Sequence, residues 1–165
     1  MLSDRNYMSS SYHSGHSEKN IVYILIAITT LAFLLVPRHS NLWLYELAFS
    51  SYGVQSLKLW QFVSYMFLHA NFTHIFFNMW GLYLFGMAVL PILGPARFLQ
   101  LYVLRGVSGA GLWLLVNWGS RYPLVGASAA IFGVMMAAAM FYPEMRIQLI
   151  FPPIPMKMKT FVLVY

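Results

Sequence analysis

The chain has 165 residues, of which 60% are hydrophobic and 8% are charged, and its formal net charge is +6. A typical soluble domain contains roughly 25% charged residues, so this composition excludes an ordinary soluble protein and indicates an integral membrane protein. The lysines and arginines are scattered singly between apolar stretches, which argues against nucleic-acid binding. Cysteine is absent, which excludes disulfides and thiolate metal sites.

The first twenty residues, Met1 to Asn20, are rich in Ser, Tyr, His and Asn. This polar composition predicts a disordered cytoplasmic tail. No small-residue cleavage site follows the apolar run from Ile21 to Val36, which favours a retained first spanning helix over a signal peptide. We therefore divide the chain into a tail, residues 1–20, and a transmembrane domain, residues 21–165.

Residues 38–68 are neither apolar enough to span a bilayer nor polar enough to be disordered, and their aromatic side chains predict a segment in the headgroup region. Two spanning helices are predicted next, over residues 72–93 and 97–118, separated by a turn at Gly94-Pro95. A shorter fourth helix is predicted from Ser128 to Tyr142. The expected fold is an all-α bundle of transmembrane helices.

Small residues recur every four positions along the fourth helix, at Ala129, Gly133 and Ala137. This stripe predicts close packing of helix backbones. After a proline-rich connection, an apolar run starts at Thr160 and the sequence stops at Tyr165, whereas a span needs about twenty residues. We expect a fragment with four spans and the start of a fifth, which folds poorly alone because the stripe lacks its partner helix.

The positions of lysine and arginine predict the orientation of the chain. With the N-terminus in the cytoplasm, twice as many of these residues fall on the cytoplasmic side as on the other, as is typical of membrane proteins. The cytoplasmic residues are Arg5, Lys19, Arg97, Arg146, Lys157 and Lys159, against Arg38, Lys58 and Arg121 outside. In this orientation the second and fourth helices both begin at the outer face of the membrane.

Polar residues at these two helix starts are of the kind that amide hydrolysis requires. Ser128 is a candidate nucleophile, because Gly126 permits an unusual backbone turn before it and a helix N-terminus presents free N–H groups after it. His74 and Asn78 lie one turn apart on the second helix. Together with the Ser128 N–H they are candidate donors to an oxyanion.

Structural interpretations of the same residues remain open. Ser128 is also a suitable helix N-cap, and a histidine or asparagine within a span also serves as a hydrogen-bonding contact between helices. His69 also suits a bracing role for the loop before the second helix. A zinc site is disfavoured, because His69 and His74 are five residues apart and no acidic or cysteine ligand is nearby.

The combination resembles the rhomboid family of intramembrane serine proteases. The resemblance covers most of residues 59–142 and is carried by the segment Leu59 to Met79 with its H-x-x-x-N pair, by Phe85-Gly86 and Gly94-Pro95-Ala96-Arg97-Phe98, and by Gly126-Ala127-Ser128-Ala129.

The resemblance implies a core of six helices and cleavage of transmembrane substrates near the outer membrane face, without cofactors or ATP. The nucleophile is then Ser128, paired with a general-base histidine on the sixth helix. His74 and Asn78 support the oxyanion, with Gly126, Ala129, Gly133 and His69 in supporting positions. The expected partners are the bilayer and a transmembrane protein substrate, and a bacterial inner membrane is the expected location.

This sequence departs from the family pattern at three points. The usual glycine after the nucleophile is Ala129, the glutamate near the end of the second helix is Leu90, and no histidine follows His74. A chain without the base is expected to be inactive as given. An inactive rhomboid-like protein that binds membrane-protein clients is the alternative, and a small transporter is disfavoured because the polar residues lie at one outer face rather than near the midplane.

Overall fold

A computed structural model describes residues 6–36, 42–120, 122–148 and 155–164. The described residues are mostly helical, in the order α1 (Asn6–Leu35), α2 (Leu42–Leu47), α3 (Ser51–Gln55), α4 (Gln61–Ser64), a 3-10 turn (Tyr65–Phe67), α5 (Phe72–Val116), α6 (Ser128–Phe141) and α7 (Met158–Val164). Strands β1 (Arg146–Gln148) and β2 (Pro155–Lys157) pair antiparallel between α6 and α7.

Helix α5 covers residues 72–116, the region in which two spanning helices were predicted over residues 72–93 and 97–118. The turn predicted at Gly94-Pro95 is confirmed, because Gly94 has φ 74° and ψ 166°, which interrupts the helix. Gly86 and Phe98 would lie about 18 Å apart along a straight helix. Here the Phe98 ring lies close to Gly86, 3.4 Å from the position that a side-chain carbon on this glycine would take, so the chain folds back on itself at Gly94.

The two halves of α5, which we call the first arm (residues 72–93) and the second arm (residues 95–116), both pack against α6. Gly81 of the first arm faces Ile131, and Gly109 of the second arm faces Ala129. Helix α6 is confirmed to within one residue of its predicted end, and Tyr142 follows it as the C-cap. The fold therefore places the first residue of α6 beside both arms.

The small-residue stripe of α6 has a partner, so the expectation that it lacks one is wrong. The Ala129 methyl group lies directly against Gly109, and the aliphatic stem of Arg105 crosses Gly133. The second arm of α5 supplies both contacts. The prediction failed because it did not anticipate that the turn at Gly94 brings the second arm to this surface.

Helix α1 packs on the first arm, with Val22 against Gly86 and the Tyr23 and Tyr83 rings 6.3 Å apart. Residues 6–20, predicted as a disordered tail, continue this helix at its N-terminal end. Residues 1–5 lie outside the described part of the chain. The assignment of residues 1–20 to a cytoplasmic unit remains a prediction.

One helix among the described residues, Phe72–Val116, is long and apolar enough to span a bilayer, and Ile21–Leu35 and Ser128–Phe141 are shorter apolar helices. The number of spans thus remains a prediction. The aromatic segment before α5 consists of short helices, in which Tyr65 is buried rather than placed at a membrane surface. The proline-rich connection carries the two strands, and α7, which contains the apolar run that starts at Thr160, begins two residues before this run, at Met158.

Candidate active site

Ser128 is the first residue of α6, and its side chain is exposed. The N-cap position is taken by Ala127, which has no side chain to cap the helix, so the interpretation of Ser128 as an N-cap is wrong. The Ser128 hydroxyl has no hydrogen-bond partner among the described residues. Ser128 therefore places an exposed hydroxyl beside helical N–H groups that no side chain caps.

Gly126 gives the chain its sharp turn into α6. Its φ of +112° lies in the region that glycine adopts without strain, and its N–H donates to the Tyr65 carbonyl at 3.0 Å. Leu124, two residues earlier, exchanges two backbone hydrogen bonds with Phe49, at 3.1 and 2.8 Å. The approach to Ser128 is therefore fixed by backbone bonds to the segment that precedes α5.

The His74 imidazole lies against the Cα of Gly126. A side-chain carbon on this glycine would come within 2.6 Å of the Cε1 and Nε2 atoms of His74. His74 is in the first turn of α5, where the Asn71 side chain caps the helix by accepting from its N–H at 2.8 Å. The fold thus brings His74 into contact with Gly126, which precedes Ser128 by two residues. His74 and Gly126 are about fifty residues apart in the sequence.

Asn78 lies one turn below His74 and is 8% exposed. Its Nδ2 donates to the His74 carbonyl at 2.8 Å, which holds the side chain along the helix. An amide nitrogen carries two donors, so the second N–H has no partner among the described residues. Asn78 therefore lies on the same face of the helix as His74 and has one N–H that makes no hydrogen bond to the described residues.

His69 lies in the loop before α5 and is buried, with 4% of its surface exposed. Its ring stands edge-on to that of His74, with 4.9 Å between centroids. Burial, together with a smaller effect of the neighbouring His74, lowers the pKa of His69 to about 4, although the nearby Phe67 carbonyl favours the protonated form. His69 is thus a neutral side chain packed behind His74.

The remaining predicted site residues support α6 rather than line the turn. Ala129 and Gly133 face the second arm of α5, as described above. Leu90, where the family has glutamate, is 1% exposed and packs in the apolar core. This chain therefore has an apolar contact where the family pattern has a carboxylate.

Tyr65 is a site residue that the sequence did not reveal. It is buried, its carbonyl accepts from Gly126, and its hydroxyl donates to the Gly106 carbonyl at 2.8 Å. Burial raises the pKa of its hydroxyl to about 12, so it remains a donor at neutral pH. A tyrosine in an aromatic-rich segment gave no signal that distinguished it from its neighbours.

Comparison with known proteins places these residues in one family. The model of the rhomboid domain matches residues 56–165, which include His74, Asn78 and Ser128. The putative rhomboid protease YdcA of Bacillus subtilis is 35% identical over 117 residues, which cover 69% of this chain and 58% of that protein. Rhomboid protein 1, mitochondrial, of Saccharomyces cerevisiae is 31% identical over 152 residues, covering 88% of this chain and 43% of that protein.

A third relative, rhomboid protease GluP of Bacillus subtilis, is 29% identical over 128 residues, which cover 74% of this chain and 24% of that protein. The chain thus spans little more than half, or less, of the length of the curated relatives it matches. The family model, in contrast, matches well over half of the chain. The chain belongs to the rhomboid family.

Proposed function

We propose that this chain supplies the nucleophile and the oxyanion donors of an intramembrane serine endopeptidase. Ser128 attacks the scissile carbonyl of a membrane-anchored substrate, and the acyl-enzyme is released by water. The observation that supports this most directly is the contact of the His74 imidazole with Gly126, two residues before an exposed serine whose hydroxyl serves no capping role.

The oxyanion of the tetrahedral intermediate is stabilised by N–H donors directed at one point. In this proposal the donors are the His74 ring, the second Asn78 N–H and the backbone N–H of Ser128. Gly126 and the Tyr65 hydrogen bonds fix the approach of the chain to α6, so these donors are held before substrate binds. Preorganised donors need no rearrangement during the reaction, which is the physical basis of their effect on rate.

The proton acceptor is assigned to the histidine that the family resemblance places on a sixth helix, since the printed sequence has no histidine after His74. Without an acceptor, the Ser128 hydroxyl stays protonated at neutral pH and is a poor nucleophile. The alternative is an inactive rhomboid-like protein that binds membrane-protein clients. We also propose a bacterial inner membrane as the location, with the N-terminus in the cytoplasm. The relatives include both bacterial and mitochondrial proteins, so they do not decide between these two membranes.

Covalent labelling separates the two candidates. The longest natural form of the protein, in its own membranes, is treated with a fluorophosphonate probe and compared with its Ser128→Ala variant. We expect labelling of the natural protein and its loss in the variant, with cleavage of a transmembrane reporter lost in parallel. Equal labelling of both proteins would refute Ser128 as the nucleophile, and absence of labelling in both would favour the client-binding alternative.

A further inference from the structure

The strands β1 and β2 present a cluster of charged side chains at the end of α6 opposite to Ser128. Arg146 of β1 lies directly across from Lys157 of β2, while Lys159 is the second residue of α7 and Glu144 precedes β1. We call these four residues the hairpin charge cluster. Helix α6 has 14 residues, so the cluster lies about 20 Å from the candidate active site and is separate from it.

The cluster carries three cations and one anion, all exposed. Glu144 pairs with Lys157 at 2.5 Å through one carboxylate oxygen and with Lys159 through the other. These lysines lower the pKa of Glu144 to about 2, so the carboxylate is ionised at neutral pH. It gathers two ammonium groups but neutralises one charge, which leaves the cluster with a net charge of +2.

Arg146 has no ion pair among the described residues. Side chains opposite each other on one face of an antiparallel pair are neighbours, and like charges in such a pair are destabilising. Their strand neighbours Ile147 and Met156 are half-buried, so Arg146 and Lys157 share the outward face of the strands. An anion placed between this guanidinium and this ammonium would remove the repulsion.

The surroundings of the cluster are apolar. Met145 is exposed next to it, and Leu163 and Val164 of α7 are exposed about one turn beyond Lys159. The Phe161 ring stacks on Phe85 of the first arm, with 6.0 Å between centroids, which places α7 against this arm. Cations beside exposed apolar side chains, in a family of membrane proteins, match the boundary between phosphate headgroups and acyl chains.

We propose that the hairpin charge cluster binds the phosphate of an acidic phospholipid, with Arg146 and Lys157 on the phosphate oxygens and Lys159 beside them. An arginine fork contacts two phosphate oxygens at once, and a lysine adds a point charge. The contribution of one cation near an anionic membrane surface corresponds to about a fivefold change in binding.

The test uses the full chain in neutral detergent, with bound lipid counted by native mass spectrometry. Titration with dihexanoyl phosphatidylglycerol and with dihexanoyl phosphatidylcholine gives the preference for the acidic lipid. We expect this preference to fall about fivefold in Arg146→Gln and in Lys159→Gln, and to rise about fivefold in Glu144→Gln, which removes the anion. Arg146→Lys keeps the charge and Gln148→Ala changes an uncharged residue on the same strand, so both should stay close to the natural protein.

Three results would overturn the proposal. The first is an unchanged preference in the arginine and lysine variants, and the second is a fall in Glu144→Gln. The third is displacement of phosphatidylglycerol by an equal concentration of inorganic phosphate, which would assign the cluster to free phosphate. Hydrogen exchange of the Met158 and Lys159 amides, which donate to the Met145 and Pro143 carbonyls, reports whether the hairpin stays formed in each variant. Lipid binding is measured without any proteolytic activity, so its result does not depend on whether the proposed function is correct.

Discussion

The His74 imidazole lies directly against Gly126, although the two residues are 52 positions apart in the sequence. The contact joins the first turn of α5 to the turn that leads into α6. It exists because residue 126 has no side chain and because its φ of +112° directs the chain toward Ser128. The geometry of the candidate active site therefore depends on the absence of a single methyl group.

We predict that Gly126→Ala disrupts this contact. A methyl group would come within 2.6 Å of the His74 ring. The positive φ adds a strain of about 1–3 kcal/mol for a residue with a side chain. Thermal unfolding in detergent should shift to lower temperature, and labelling at Ser128 should be lost in the active form of the protein.

The matched control for this variant is Gly111→Ala, since a methyl at Gly111 meets no other atom within 4 Å. Alanine is favoured over glycine in a helix by about 1 kcal/mol, so this variant should be neutral or slightly stabilised. The same loss of stability in both variants would contradict a specific requirement at residue 126.

If the proposed mechanism holds, Asn78→Ala lowers turnover about a hundredfold or more, because the proposal makes its amide one of the oxyanion donors. The effect should fall on kcat rather than on KM, since the donor acts on charge that develops in the transition state. Asn117→Ala is the control, because the Asn117 amide makes the same bond to the carbonyl four residues earlier, at 3.0 Å, in a different helical turn. Equal losses in the two variants would point to helix stability instead of catalysis.

We predict that Gly109→Ala destabilises the protein, because the new methyl group would overlap that of Ala129. Overpacking of this kind typically costs about 1–3 kcal/mol. Exchanging the two residues, in the double variant Gly109→Ala with Ala129→Gly, should restore much of the loss. Denaturant unfolding of both single variants and the double variant gives their coupling energy. Additive effects would show that the two helices do not meet at these residues.

We predict that Tyr65→Phe lowers stability by about 1 kcal/mol, because it removes the buried hydrogen bond from the Tyr65 hydroxyl to the Gly106 carbonyl. The Tyr65 carbonyl still accepts from Gly126, so probe labelling should decrease less than in Gly126→Ala. Tyr122→Phe removes a hydroxyl from a residue that is 84% exposed and serves as the control. An unchanged unfolding temperature in Tyr65→Phe would contradict the role given to this hydrogen bond.

The buried His69 predicts a pH dependence of stability. Its pKa is lowered to about 4 in the folded protein, whereas an unfolded histidine titrates near 6.5. Between about pH 6.5 and 4, His69 is protonated in the unfolded state but neutral in the folded state. The free energy of unfolding therefore falls as the pH is lowered from about 6.5 toward 4. The full effect is at most about 3 kcal/mol. Unfolding curves at pH 7.5 and 5 should differ less for His69→Gln, and an equal difference would contradict the prediction.

Local features of the sequence were sufficient to predict the helices that carry the site. The turn at Gly94 and the start of α6 at Ser128 follow from glycine, proline and apolar runs, which act over a few residues. The H-x-x-x-N spacing placed His74 and Asn78 on one helical face for the same reason. The strands β1 and β2 were not predicted, because three-residue strands carry too little pattern to be distinguished from a proline-rich connection.

Contacts between distant segments required the tertiary structure. The pairing of the α6 stripe with the second arm of α5 could not be read from the stripe, since small residues specify a close neighbour without specifying which one. The role of Tyr65 was equally hidden, because its two partners, Gly106 and Gly126, lie 41 and 61 residues further along the chain. The residues next to a side chain in the sequence do not indicate which distant group it will contact.

The sequence alone determined that this is a helical membrane protein with Ser128, His74 and Asn78 as its candidate chemical groups, because composition and motif spacing are properties of neighbouring residues. Its resemblance to the rhomboid family rested on the motifs that carry these groups. The tertiary structure decided that Gly126 lies against the His74 ring and that Ala129 faces Gly109. It also decided that the chain doubles back at Gly94 far enough to make both contacts. These outcomes depend on which helices share a surface, and that choice is made by packing over the whole chain.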